Sequence, residues 1–462
     1  MTASSDSHAA LELLAQQASA LTLAGIPAAV LQQARLCVLD TLGCILAGTA
    51  TDEARLALAC EPATAGDSTL GVYGTAQRRS LVSALRIHGY LGDVLELNDL
   101  IGGHASIGNV TAALGLAQAT GATQGALLEA VVRGIEVTSR IYQAVYPSLK
   151  RFTDCGLVPV GIPSSIGAAT AAAHLHGLDE HRTAHAMAIA GALAGWCPAE
   201  VIFGDGGSVK PMLFGAQPAV AGVTAAAYAA QGMTGPLRLL ESGLGYFNTV
   251  SNAPVLDTGS WGDDNWALAR PRRKLHACCG YLHCAVDAAS ALRESAGVGV
   301  GTLIDVHVPP YTADAVAKLR APLSPNDARF HLQYCLALVL CGADVIEPDH
   351  SIRFRHHLAR DELRQAMARI RVVPDASLTH YERCRLVARD EQGRALAEVQ
   401  LDAPRGAPAR PLSDADVIDK FERLAAPVLG TGVARETVSA LMAARPQDPV
   451  CGWLDRLSGK AG

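Results

Sequence analysis

The chain has 462 residues, half of them apolar but only 5% aromatic, with 44 glycines and a formal net charge of −6. That length exceeds one ordinary hydrophobic core and suits two domains. The acidic balance and the lack of any Lys/Arg-rich run exclude the electrostatic footprint of a nucleic-acid binder.

Residues 1–10 are polar and lack the charged-then-apolar pattern of an export signal, which predicts a cytoplasmic protein. Twelve cysteines are scattered without a CxxC pair or a metal-ligand spacing, so reduced core thiols and no metal site are expected. From residue 11 to about 232 the pattern is helix after helix. The stretch 29–47 places Leu31, Ala34, Val38, Leu42, Ile45 and Leu46 on one face and meets Gly48, read as its terminator. The stretch 123–145 carries Leu127, Leu128, Val131, Val132, Ile135 and Ile141 at the same spacing, and Asp179 suits the N-cap of a helix running to Trp196. Two uncharged runs, 155–178 and 211–237, are long enough to raise a membrane question. Both contain Pro and Gly and few large aliphatics, so they predict buried helices and no membrane partner.

The texture changes around 254–273, where two Trp, several Asp and Gly, and a basic cluster appear. Beyond it, 302–308 and 369–373 alternate like strands, while 383–388 and 395–401 read as a hairpin around Asp390-Glu391-Gln392-Gly393. A helix is predicted over 327–341, and Ser413 opens another helical stretch. The expected fold is mainly α: a large all-helical domain over 1–265 and a smaller α+β domain over 266–410. Helices in 411–462 are expected to pack back on the first domain, and the cleft between domains is the expected ligand site.

Three distant basic residues attract attention. His104 sits just before a small-residue helix expected near Asn109, where the positive end of the helix dipole disfavours its charged form. It reads equally as a loop histidine bonded to backbone. Lys210 follows a glycine-rich loop with Gly207 and Ser208 and precedes Pro211, a favoured first helical residue. Such a loop suits a carboxylate, or simply a solvated lysine. Lys274 lies beside Arg272 and Arg273; the cluster reads as a solvated face or as a carboxylate clamp with a bidentate arginine. Glu96 and Asp99 have the spacing of neighbours on a helix turn, and either suits an acid or a partner that orients His104. His283, four residues after Cys279, makes no zinc site with one companion.

These residues fall in a recognisable order. The run Cys37-Val38-Leu39-Asp40-Thr41-Leu42-Gly43-Cys44-Ile45-Leu46-Ala47-Gly48 resembles the first helix of the MmgE/PrpD family. Val72-Tyr73-Gly74, His88-Gly89, Glu96-Leu97-Asn98-Asp99 and His104 follow in that family's order. So do Gly207-Ser208-Val209-Lys210-Pro211, the segment from Lys274 to His283, and Ala328-Arg329-Phe330. The resemblance implies a helical domain, a smaller α+β domain, a cleft between them and a homodimer. It also implies chemistry on small polycarboxylates without a required metal or organic cofactor, as in 2-methylcitrate dehydratase, cis-aconitate decarboxylase and iminodisuccinate epimerase.

The sequence departs from the family pattern at several positions. An Asp-x-Asp-Asp cluster is replaced by Glu96-Leu97-Asn98-Asp99, and a second family histidine lines up with Val158-Pro159-Val160. Leu213 and Val220 stand where a His and an Arg are usual. The expectation is therefore a cofactor-independent lyase-type enzyme that moves a proton next to a carboxylate of a small anionic metabolite, by dehydration or decarboxylation. An epimerase or isomerase of a dicarboxylate, or a non-catalytic ligand-binding member, is the alternative. The candidate catalytic set is His104, Lys210, Lys274, Glu96 and Asp99, with Gly207, Ser208, Arg272, Arg273 and His283 binding substrate.

Overall fold

The computed structural model describes residues 8–63, 69–203, 207–259, 261 and 265–458. Its N-terminal body is built from α1 (Ala10–Ala20), α2 (Ala28–Gly48), α3 (Asp52–Cys60), α4 (Leu81–Asp93), α5 (Ala105–Thr120), α6 (Gln124–Val145), α7 (Gly161–Leu175), α8 (Glu180–Leu193) and α9 (Gln217–Ala230). Helix α5 is buried on every side from Ala105 to Ala117. It therefore carries no charged residue and no amphipathic stripe. Small residues let the neighbours close in. A Cβ on Gly167 would lie 1.9 Å from Thr138 Oγ1, and one on Gly222 would lie 2.5 Å from the Ala168 side chain. Helix α7 thus meets α6 and α9 almost backbone to backbone.

Two expected boundaries shift. Gly48 is still helical, and a Cβ there would sit 2.2 Å from the Leu91 carbonyl oxygen. It is a contact point between α2 and α4 rather than a terminator. Helix α8, capped by Asp179 through Arg182 N at 2.8 Å, stops at Leu193 and not at Trp196. The segments Ala28–Gly48 and Met212–Ala230 are long and apolar enough to cross a membrane, yet 72% and 67% of their apolar windows are buried inside the protein, as core helices are.

The C-terminal part holds a mixed four-stranded sheet of β1 (Leu303–Val308), β2 (Ile370–Pro374), β3 (Cys384–Arg389) and β4 (Ala395–Leu401), in the order β2-β1-β3-β4. Strand β1 runs parallel to β2 and antiparallel to β3, and the β3–β4 hairpin is the one expected, with a bulge at Ala388/Arg389. Helices α10 (His283–Ala296) and α11 (Leu332–Leu340) cover the sheet through a core that includes Val286, Leu292, Val306, Leu336 and Leu386. The single helix expected over 327–341 is broken. A short turn, Pro325–Arg329, ends where Arg329 turns inward, and His331 caps α11 by accepting from Tyr334 N at 3.2 Å.

Helix α12 (Asp414–Leu429) starts at a Ser413/Asp416 capping box and, with α13 (Thr431–Ala443), returns to the helical body. Phe421 and Leu424 press onto Gly43 of α2, each approaching its Cβ position to 3.4 Å. That return delivers Lys420 to the centre of the molecule.

Candidate active site

Two glycines set the meeting of α4 with the segment after Lys210. A Cβ on Gly215 would lie 2.1 Å from the Gly89 carbonyl oxygen, and one on Gly89 would lie 2.6 Å from Ala216 Cα. Between Lys210 and α9 the backbone makes a π-turn, Met212–Ala216, a distortion frequent at functional sites. This close approach carries Lys210 to Asp93, the last residue of α4, with Nζ 2.7 Å from Oδ2.

Lys210 also pairs with Oε1 of Glu96, whose other oxygen accepts from Lys274 Nζ at 2.9 Å. Lys274 reaches the Glu96 carbonyl as well, at 3.0 Å. Glu96 holds a φ of +54°, rare for a residue with a side chain. That turn presents both its carbonyl and its carboxylate to Lys274. The side chains of Lys210, Lys274, Asp93 and Glu96 are at most 4% exposed. Two ammonium groups and two carboxylates are therefore sealed together with little water to share.

Burial alone would raise the Glu96 carboxyl, but Lys210 and Lys274 outweigh it and hold the group well below the ordinary carboxylate range. Burial likewise pushes Asp93 upward, and there the opposing pull of Lys210 does not prevail. For Lys210 burial would lower the value, and Asp93 and Glu96 more than offset it. Of the two acids, Asp93 takes up a proton first.

His104 is positioned by a left-handed run: φ is +51° at Gly102, +74° at Gly103 and +98° at His104. A Cβ on Gly102 would lie 2.7 Å from Ser139 Oγ, and one on Gly103 would lie 2.6 Å from the Tyr142 ring. Only glycine fits between this loop and α6. His104 then starts α5, four residues earlier than the sequence suggested, because Ala105 and Ser106 pack as the first buried turn. Its ring stands edge-on to Phe214, centroids 5.3 Å apart, and Lys210 Nζ lies 4.2 Å from the same ring. With 12% of its side chain exposed, His104 is the member of the cluster open to solvent. Burial, reinforced by the positive charges of Lys274 and Lys210, drives its pKa well below the usual histidine value. The imidazole is neutral at physiological pH.

Asn98 Nδ2 lies 3.0 Å from His104 Nδ1, and Asp93 Oδ1 lies 3.9 Å from the same nitrogen. With the Asn98 amide donating, Nδ1 is the acceptor and Nε2 carries the proton. Turned by 180°, the amide accepts from Nδ1–H and leaves Nε2 as a base. Asn98 Oδ1 has no other hydrogen-bond partner, so this rotation breaks no existing bond of that oxygen.

His104, Lys210, Lys274 and Glu96 thus come together from regions far apart in sequence. Gly207 and Ser208 are exposed beside Lys210, the Ser208 carbonyl accepting from Tyr90 Oη at 2.9 Å, while residues 204–206 of the glycine loop lie outside the described residues. Asp99 stands apart. Residues 94–100 are not helical, so it does not share a turn with Glu96; its Oδ1 accepts from Ile101 N at 3.2 Å. Burial and the neighbouring Asp40 raise its carboxyl to about 6 against the opposing pull of Arg273. The three adjacent cations diverge. Lys274 turns inward, Arg273 binds Gln33 Oε1 at 2.9 Å on α2, and Arg272 binds Tyr381 Oη at 3.1 Å. His283 is buried, with Nε2 3.2 Å from the Cys278 carbonyl, and burial, His276 and the charge of Lys274 hold its pKa well below the usual histidine value. Among the described residues, no three His, Cys, Asp or Glu side chains gather as a metal site.

Sequence reasoning missed four members. Asp93, Asn98 as the partner of His104, and Phe214 line the cluster itself. Lys420 organises it: Nζ donates to the Leu97 carbonyl at 2.8 Å and the Lys274 carbonyl at 2.7 Å, and pairs with Asp40 at 2.6 Å. It thereby ties the Glu96 loop to the Lys274 segment. The signal was present, because Val417, Lys420, Phe421 and Leu424 share one helical face and a lysine on such a face is buried with a partner.

Two family models match the chain, the MmgE/PrpD N-terminal domain over residues 12–258 and the MmgE/PrpD C-terminal domain over residues 276–443. A comparison with curated proteins returned no match. The family includes dehydratases and related lyase-type enzymes such as 2-methylcitrate dehydratase. With both halves matched in order, the chain belongs to the MmgE/PrpD family.

Proposed function

We propose that this protein is a cofactor-independent lyase acting on a small carboxylic acid, with His104 moving the hydrogen on the carbon next to the carboxylate. The observation that carries this reading is the convergence of a neutral histidine with two buried lysines around one carboxylate, Glu96. In the proposal a substrate with more than one carboxylate displaces Glu96 from the two ammonium groups and sets one of its own carboxylates there. With the Asn98 amide turned to accept from Nδ1–H, Nε2 of His104 removes the proton, and Lys210 and Lys274 stabilise the enolate-like charge that develops. In a dehydration the β-hydroxyl group then leaves as water, taking the proton that His104 carries. In a decarboxylation the order reverses, carbon dioxide leaving first with its bonding pair on the adjacent carbon and His104 then protonating that carbon. Return of the proton to the opposite face would give epimerisation instead.

The loss of the second family histidine, at Val158, and of acidic positions in Glu96-Leu97-Asn98-Asp99 argues against 2-methylcitrate or cis-aconitate as the substrate. The reading also includes a cytoplasmic homodimer, an expectation that rests on the family, on twelve free cysteines and on the mostly buried apolar helices.

The test is a thermal-shift screen against di- and tricarboxylic acids, repeated with His104→Ala and Lys210→Ala. An acid that stabilises the parent and neither variant supports the site. Variants that respond like the parent remove it. A parent that binds but turns nothing over points to a ligand-binding member of the family.

A further inference from the structure

Next to His104 lies a feature the proton-transfer reading does not use. Five of the chain's ten tyrosines gather there, a concentration that composition alone does not explain. Tyr142 and Tyr146 come from the end of α6, with ring centroids 5.4 Å apart. Tyr281, Tyr311 and Tyr381 come from the C-terminal part, with Tyr281 5.2 Å from Tyr381 and 5.9 Å from Tyr311. The two groups join where Tyr146 Oη meets His380 Nε2 at 2.9 Å, and His380 stacks on Tyr381 at 4.6 Å.

The wall begins at the base itself. The Tyr142 ring lies against Gly103, the residue before His104, so closely that a Cβ there would come within 2.6 Å of it. Tyr142 also packs on the apolar cluster that contains Val158 and Phe214. The chain thus carries valine where a family histidine is usual, aromatic rings beside it, and the neutral base at the junction.

Two properties distinguish this wall from simple glue between domains. The aromatic residues of the main helical core, such as Tyr73 and Phe421, are fully buried, whereas Tyr142, Tyr146, Tyr281 and Tyr381 are half-buried and Tyr311 is 40% exposed. No tyrosine–tyrosine contact in the wall is a parallel stack, the pairs being tilted by 31° and 42° or edge-on at 79°, and stacking covers the face of Tyr381 that meets His380. Arg272 adds a cation at the rim: it donates to Tyr381 Oη, and Glu382 lies 3.6 Å away.

We propose that this tyrosine wall is a substrate subsite for a planar aromatic group, so that the acid handled by His104 is aryl-substituted rather than a purely aliphatic polycarboxylate. The inference rests on the proposed carboxylate seat at Lys210 and Lys274. A phenyl ring meeting tyrosine faces gains from apolar burial and from offset or edge-on ring contact, which together amount to roughly tenfold in affinity or more.

The experiment is calorimetric titration of the full-length protein with succinate and with phenylsuccinate, repeated on Tyr281→Leu and Tyr311→Leu. Leucine keeps the apolar volume and removes the ring face, and a melting scan of each variant checks folding. The expected result is phenylsuccinate binding about tenfold tighter than succinate to the parent. That ratio should approach one in both variants, with succinate affinity unchanged. Equal binding of the two acids to the parent, or a preference that survives in both variants, overturns the subsite while leaving the carboxylate seat intact. Failure of both acids to bind the parent removes the seat, and this inference with it.

Discussion

Replacing Glu96 by Gln removes one charge from a sealed set of four while keeping the shape of the side chain. In the folded protein the Glu96 carboxylate bridges Lys210 and Lys274, and both lysines are almost fully buried. Lys210 keeps Asp93 at 2.7 Å, so the ammonium left without a carboxylate is that of Lys274. Breaking one partner of a buried pair costs about 3–5 kcal/mol. In a chain of this size that corresponds to a fall in melting temperature of roughly 3–5 °C. The same loss empties a carboxylate seat, so a small monocarboxylate should restore what the substitution removed. Acetate at a hundred times its Kd returns about 2.7 kcal/mol by mass action. The assay is a pair of melting curves for Glu96→Gln, in acetate and in chloride at equal ionic strength, beside the parent. Acetate should raise the variant by about 3 °C and leave the parent nearly unmoved, because a lone monocarboxylate does not displace the tethered Glu96 from its seat. A variant that melts with the parent, or acetate that lifts both equally, refutes the reasoning.

Three further outcomes follow from the geometry. Asn98→Asp places a carboxylate 3.0 Å from His104 Nδ1 and should raise the imidazole pKa by 1 unit or more, moving the acid limb of kcat/KM upward; an unmoved profile would show that Asn98 does not control the base. Asp99 is raised to about 6 in the fold, so the parent loses stability as pH rises from the ordinary carboxylate value of about 4 through 6, by up to about 3 kcal/mol. Asp99→Asn should lack that loss, and parallel melting curves for parent and variant across pH 4 to 7.5 would contradict it. Lys420→Met leaves Asp40 buried without its cation and frees the Leu97 and Lys274 carbonyls. It should destabilise by about 3–5 kcal/mol and weaken carboxylate binding as well, which denaturant unfolding and calorimetry would check separately.

What the sequence made legible follows from where periodicity has contrast. In α6 large aliphatics recur at helical spacing among polar residues, so its face could be drawn from the letters alone, whereas α2 is buried on every side from Leu36 to Gly48 and the face read for it is only part of what it buries. Helix α5, buried all round, offers no such contrast, and its start at Ala105 was misplaced by four residues. The stretch 327–341 read as one helix because its apolar positions continue, but the inward turn of Arg329 and the cap made by His331 are tertiary events. The basic triplet shows the same limit. Adjacent in sequence, Arg272, Arg273 and Lys274 meet Tyr381, Gln33 and Glu96 respectively. A one-dimensional cluster of charge does not say which member is buried. His104, Lys210 and Lys274 were identified through family resemblance, and Asp93 escaped because a single acid at the end of an apolar helix reads as an ordinary surface residue.

The most direct measurement is hydrogen exchange at the carbon beside the carboxylate. The protein is incubated in D2O with an acid that stabilises it, and the loss of that carbon's proton signal is followed by NMR, for the parent and for His104→Ala. The account predicts exchange catalysed by the parent and abolished in the variant, with the acid still bound. Exchange at the same rate in His104→Ala would contradict it.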